Sequence, residues 1–209
     1  DNTFVITNTA RDAQLGFIKN MKAENSILFH SKLTKEDKHN LFDKVYECFK
    51  ENGERQYDVL RSGPIVQASL NISCDKMLTE FTTAENWLQR LGRLDRFGKN
   101  TKPNEYITVL GKSIDAGKGQ SKTARFLNGD HMFHSAKAWY DFLQAQEIKQ
   151  KEISINEVYA LYQAFYNDEK SIQVIEKDFM NALKKSIKAI NANILDPMSL
   201  PGKKKPKPG

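Results

Sequence analysis

The chain has 209 residues, 39% hydrophobic and 28% charged, with a formal net charge of +6. That is enough for one large or two small cores, favours anionic partners, and holds no run near the ~20 apolar residues of a membrane helix. Cys48 and Cys74 stand far apart with no CxxC, which argues against a disulfide framework or a zinc site and for a reducing cytoplasm.

The first half alternates short apolar runs with amphipathic stretches. Phe4 to Thr7 reads as a buried strand, and Thr9 caps a helix from Ala10 to Lys22 with Asp12 in its first turn. Ser26 to Phe29 is a second strand. Thr34 and Asp37 open a helix carrying Leu41, Phe42, Val45, Tyr46 and Phe49, which Gly53 stops. Tyr57 to Leu60 and Lys76 to Phe81 are the third and fourth strands. Thr83 caps a helix with Trp87, Leu88 and Leu91, and Tyr106 to Leu110 is the fifth strand. Strands alternating with helices predict a parallel sheet covered on both faces, with ligands at the carboxyl ends of the strands. The loops after the third and fourth strands are therefore the candidates for a site.

Residues 111 to 122 turn to Gly, Lys, Ser and Asp, a linker composition. Beyond them the chain reads as helical. Ser135 caps a helix through Lys149, Ser154 and Glu157 form a capping box for a helix through Tyr166, and a third helix runs from Ser171 to Ala192. The apolar side of the third helix is Ile172, Val174, Ile175, Phe179, Ala182 and Leu183. Pro197, Pro201, Pro206 and Pro208 end regular structure in a basic tail expected to be disordered, where Lys203, Lys204, Lys205 and Lys207 bind nucleic acid or only solubilise. The expected organisation is an α/β parallel-sheet domain over 1–110, a linker over 111–134, a smaller helical domain over 135–196 and a tail over 197–209.

The informative string is Gln89-Arg90-Leu91-Gly92-Arg93-Leu94-Asp95-Arg96. Two arginines three residues apart project to one side, and a guanidinium fork matches phosphate oxygens without losing its charge. Charge that builds on a transferred phosphoryl group is answered by such an arginine finger. Gly92 is expected to allow a close backbone approach. Read alone, the string also fits a basic surface helix. Its place after a strand and a capped turn favours the phosphate reading.

This string resembles motif six of superfamily two helicases, and Gly63 to Ser73 resembles motif five. Asp75 to Glu80 followed by Leu88-Gln89-Arg90, Leu28 to Thr34 and Val5 to Thr9 are similar to segments of one branch, the CRISPR-associated helicase-nuclease of type I interference systems. The resemblance covers residues 3 to 110 and implies the second RecA-like domain. It implies that Arg93 and Arg96 reach the terminal phosphate of ATP, and that Gln89, Gly92 and Asn71 belong to the nucleotide side. It also implies that Ser62 to Ser73 couples nucleotide to DNA, and that Asn8, Thr9, His30, Ser31, Ser62 and Gly63 lie near the nucleic-acid backbone. The family usually carries Asp where Asn71 stands, Glu where Gln67 stands, and a small residue with Thr where Arg61 and Ser62 stand.

The family's Walker A loop, acidic magnesium motif and His-Asp nuclease are not found in the sequence. Gly111-Lys112-Ser113 lacks the earlier glycine, and Gly117-Lys118-Gly119 lacks a following Ser or Thr. ATP and magnesium are thus expected on a first RecA-like domain, and the chain, which opens on Asp1 with no secretory leader, is expected to be a piece of something larger and inactive alone. Expected partners are single-stranded DNA, the first RecA-like and nuclease domains, and a guide-RNA effector complex, with no membrane. The alternatives are a degenerate helicase half acting as a binding or regulatory subunit, and a different superfamily two DNA or RNA helicase. Asp130-His131-Met132-Phe133-His134 reads as a turn rather than a metal site, and Trp87, Trp139, Tyr140 and Phe142 as packing rather than base-stacking residues.

Overall fold

The computed structural model describes residues 1–67, 70–110, 127, 129, 132–148 and 151–195, the last four by backbone alone. The expected linker 111–122, both glycine-lysine strings, His131 and the proline-lysine tail lie outside the described residues.

Five strands, β1 (Thr3–Ile6), β2 (Ser26–Phe29), β3 (Val59–Ser62), β4 (Lys76–Glu80) and β5 (Glu105–Val109), form one parallel sheet in the order β2-β3-β1-β4-β5. Crossovers supply α1 (Ala10–Asn20), α2 (Lys35–Phe49) and α3 (Ala84–Leu91). The parallel sheet, as expected, buries Phe4, Ile6, Ile27, Phe29, Leu60 and Met77 against Val45, Cys48 and Phe49 of α2. Thr9 and Thr34 cap α1 and α2, each accepting the backbone N–H three residues on at 3.1 Å.

Several boundaries differ from the sequence expectation. β3 begins two residues later than Tyr57 and runs through Arg61, a charge that reads as a strand end. Arg61 is tolerated because its Nε and Nη2 donate to the Glu24 carboxylate at 2.9 and 2.7 Å. α2 ends at Phe49, and Gly53 serves instead the turn beyond it, where a Cβ would stand 2.5 Å from the Glu47 carbonyl oxygen. Thr83 stands at the N-cap of α3 without a side-chain cap bond. Between β3 and β4 no α-helix intervenes among the described residues. A 3-10 turn over Pro64–Gln67 leads into an extended run in which Leu70, Ile72 and Cys74 are buried and Asn71 is exposed.

The helical part comprises α4 (Phe133–Ala145), α5 (Ile155–Asn167) and α6 (Glu169–Leu195). The Ser154–Glu157 capping box is present. Ser135 is not the cap of α4. It sits inside the first turn, and its N–H and hydroxyl both donate to Asp178 of α6. The apolar side expected for α6 is only partly used: Phe179 is 65% exposed and Leu183 also faces outward, while Ser171 and Asp178 are buried. α6 therefore docks partly through a buried carboxylate, which a hydrophobic pattern does not reveal. Phe81, Ala84 and Trp87 share a second core with Trp139, Leu143, Val158 and Phe165. Trp87 and Trp139 meet edge to face, so both are packing residues as expected.

Candidate functional site

The carboxyl ends of β3, β1 and β4 lie side by side and are crossed by one side chain, Arg90 of α3. Arg90 is 1% exposed. Its Nε donates to Gln67 Oε1 at 3.0 Å, its Nη2 to Asn8 Oδ1 at 2.8 Å, and its Nη1 to Thr79 Oγ1 at 2.9 Å and the Glu80 carbonyl at 3.0 Å. Burial pulls this guanidinium down to about 10, against the opposing charge effects of Tyr106 and Glu80. Gln67 is held in turn, its Nε2 donating to Asn86 Oδ1 at 2.7 Å.

Two further arginines follow at three-residue intervals and reach the same connection. Arg93, 7% exposed, donates from Nε and Nη2 to the carbonyls of Val66 and Gln67, both at 3.1 Å. Burial, then the neighbouring charge of Arg96, holds Arg93 below the ordinary guanidinium range. Arg96 is exposed; its Nε donates to Asn71 Oδ1 at 2.6 Å and its Nη1 to the Gly92 carbonyl at 3.0 Å. The main chain is tied as well, with Cys74 N donating to Arg93 O and Arg96 N to Ser73 Oγ, both at 2.9 Å. The residues that resemble motifs five and six are thus laced together. Gln89 is exposed on the outer side of α3. Gly92 is exposed at φ −63°, and a Cβ there would meet nothing nearer than Gln89 O at 3.5 Å. No close approach within the described residues involves that glycine.

The strand-end residues divide by accessibility. Ser31 is exposed and Thr9 half-buried. Asn8 is buried, its N–H donating to Glu80 Oε2 at 2.6 Å and its Nδ2 to the Phe81 carbonyl at 2.8 Å. Ser62 is fully buried and donates to the Phe29 carbonyl, tying β3 to β2. Gly63 is buried beside Ala10. His30 is 1% exposed; its Nδ1 accepts the Lys32 N–H at 3.1 Å, and its Nε2 has no partner among the described residues. Burial holds its imidazole below the usual histidine value.

Sequence reasoning passed over Arg90, Gln67 as a structural acceptor, and Thr79. A signal existed for Arg90: it sits three residues after Trp87 and six after Ala84, on the face of α3 that is buried. Among the described residues, no group of three His, Cys, Asp or Glu is placed to hold a metal ion, and no helix is long and apolar enough to cross a membrane.

Residues 1–99 match the family model described as CRISPR-associated nuclease/helicase Cas3, C-terminal. A Cas3 endonuclease/helicase from Escherichia coli strain K12 is 30% identical over 97 residues, which make up 46% of this chain and 11% of that protein. Among solved structures, ADP-bound T. fusca Cas3 superposes with a TM-score of 0.70 at 18% identity, over 91% of this chain and 23% of that one. A CRISPR RNA-guided surveillance complex in a pre-nicking state contains a chain that superposes at 0.68, again at 18% identity, over 91% of this chain and 24% of that one. The chain therefore spans about a quarter of the length of these structural relatives. Over residues 1–99 it is similar to the C-terminal helicase portion of CRISPR-associated Cas3 proteins, and its α/β fold is RecA-like.

Proposed function

We propose that this chain is the second RecA-like half of an ATP-dependent translocase on single-stranded DNA that acts in type I CRISPR interference. The observation that carries the reading is the ladder Arg90, Arg93, Arg96, which starts at the carboxyl ends of β3, β1 and β4 and ends in an exposed guanidinium beside the run that enters β4. Ligands of open α/β sheets bind at the carboxyl edge, where the ladder starts.

In this reading Arg96 and Arg93 answer the charge on the terminal phosphate of ATP, with Gln89, Gly92 and Asn71 beside them. Arg96 fits such a role, since its Nη2 makes no hydrogen bond among the described residues and the group is exposed. ATP with magnesium supplies the free energy of the cycle and is held mainly by a first RecA-like domain. Thr9, Ser31 and the N–H groups near Asn8, Ser62 and Gly63 line the nucleic-acid side, where hydroxyls and backbone donors suit phosphate. The partners are that first domain, a nuclease domain and a guide-RNA effector complex, in the cytoplasm.

The test is ATP hydrolysis by this chain mixed with a first RecA-like domain, with and without single-stranded DNA. DNA-stimulated hydrolysis that Arg93→Ala and Arg96→Ala each abolish is the expected result. A second reading, a degenerate half that only binds nucleic acid, is favoured by one observation: Arg90 and Arg96 meet neutral amides at Gln67 and Asn71. Retained DNA binding with no hydrolysis in any mixture would select it, and stimulation by RNA rather than DNA would select another superfamily two helicase.

A further inference from the structure

We propose that Arg90 is a positioning residue that locks the carboxyl ends of β3, β1 and β4 to α3, so that the Arg93–Arg96 segment and the Asn8–Thr9 loop move as one body. The functional meaning rests on the helicase reading above; the lock itself rests on geometry.

The sheet order sets β3, β1 and β4 next to one another. Beyond the end of each stands an acceptor for Arg90: Gln67 after β3, Asn8 after β1, and at the end of β4 Thr79 with the Glu80 carbonyl. Every atom these bonds reach belongs to a neutral group, and the charge of Glu80 adds to the hold on Arg90. A buried cation so held is a poor way to gain stability, because apolar packing of similar volume often serves as well or better. Its use here is its shape. A guanidinium fixes several donors in one plane, whereas an ammonium offers three from a single point and cannot reach three separate segments together.

The bracket also joins the two sides of the site. Asn8 takes an Arg90 bond on Oδ1 while its N–H and Nδ2 hold Glu80 and Phe81. Arg93, one helical turn further on, grips the carbonyls of the turn that carries Gln67. A shift of α3 against a nucleotide therefore displaces the Asn8–Thr9 loop, with no soft element between them. Coupling of this kind needs a rigid connection whose ends are biased by different ligands.

The experiment is amide hydrogen exchange on this chain, comparing wild type with Arg90→Lys and with the gentler, isosteric Thr79→Val. In Arg90→Lys, amides at 8–9, 65–67 and 81–83 are expected to exchange about tenfold faster, while those of β1 and β4 keep their protection. Thr79→Val should shift the segment at 81–83 in the same direction by a smaller factor. A uniform loss of protection, or no change in either variant, overturns the lock. In the mixture with a first RecA-like domain, the ratio of DNA-stimulated to unstimulated hydrolysis should fall about tenfold in Arg90→Lys. Rates that fall in proportion, or do not fall, overturn the coupling. Absence of DNA stimulation in wild type would instead sink the helicase reading, and the exchange data would still judge the lock.

Discussion

Arg96 Nε donates to the Asn71 side-chain oxygen at 2.6 Å, joining the end of the arginine ladder to the extended run that enters β4. The resemblance to superfamily two helicases implies a carboxylate where Asn71 stands. A charge-assisted bond is roughly twice as strong as a neutral one, yet an exposed pair stabilises a fold by less than about 1 kcal/mol. Asn71→Asp is therefore expected to leave urea unfolding nearly unchanged while fixing Arg96 in place. In the ATP hydrolysis mixture it should raise the DNA-stimulated rate severalfold. An unchanged rate would show that the missing carboxylate limits nothing.

Arg93 and Arg96 should separate in stability even where both are needed for hydrolysis. Arg93→Ala strips the partners from two carbonyls around a buried turn, and is expected to cost about 2–4 kcal/mol. Arg96→Ala removes a solvent-facing contact and should stay within about 0.5 kcal/mol. Urea unfolding measures both. Equal destabilisation would mean that the grip of Arg93 on Val66 and Gln67 contributes nothing.

Most of the sheet was legible because apolar runs such as Phe4 to Ile6 and Ile27 to Phe29 are read directly as strands, and Thr9, Thr34 and Ser154 mark helix starts by their own hydrogen bonds. What escaped depends on pairing across the fold. Arg61 looks like a strand end until Glu24 is seen beside it. Ser135 looks like a cap until Asp178 is seen 43 residues later in the chain. Within the motif string Arg90 is easily passed over, because a charged residue on a short helix suggests solvent. Its partners Asn8 and Thr79 sit 82 and 11 residues away, so no local pattern could announce them.

The buried imidazole of His30 makes a pH prediction. Burial lowers its folded pKa below the ordinary 6.5. As pH falls, the unfolded chain takes up this proton first, so stability declines between the ordinary value and the lower folded one. His30→Asn keeps an acceptor for the Lys32 N–H, since Asn side chains make the same local turn, but does not titrate. From about pH 7.5 to about pH 5.5 the wild type should lose more unfolding free energy than the variant, by at most ~1.4 kcal/mol per pH unit. Parallel pH profiles in urea unfolding would refute the assignment.

Asp178 offers the last and simplest discrimination. Its Oδ2 accepts from Ser135 N at 2.9 Å and Ser135 Oγ at 3.0 Å, and its Oδ1 lies 3.2 Å from His134 Nδ1. The carboxylate is buried, and it sits where the first turn of α4 leaves N–H groups without helical partners. Asp178→Ala removes every one of these contacts and should destabilise by about 1–3 kcal/mol. Ser135→Ala keeps the backbone bond and loses only the hydroxyl, so its cost should stay near or below about 1 kcal/mol. Unfolding followed by the fluorescence of Trp139, which lies in the core α4 shares with α5, reads both. A cost for Asp178→Ala no larger than that of Ser135→Ala would mean that α6 is held by its apolar contacts alone.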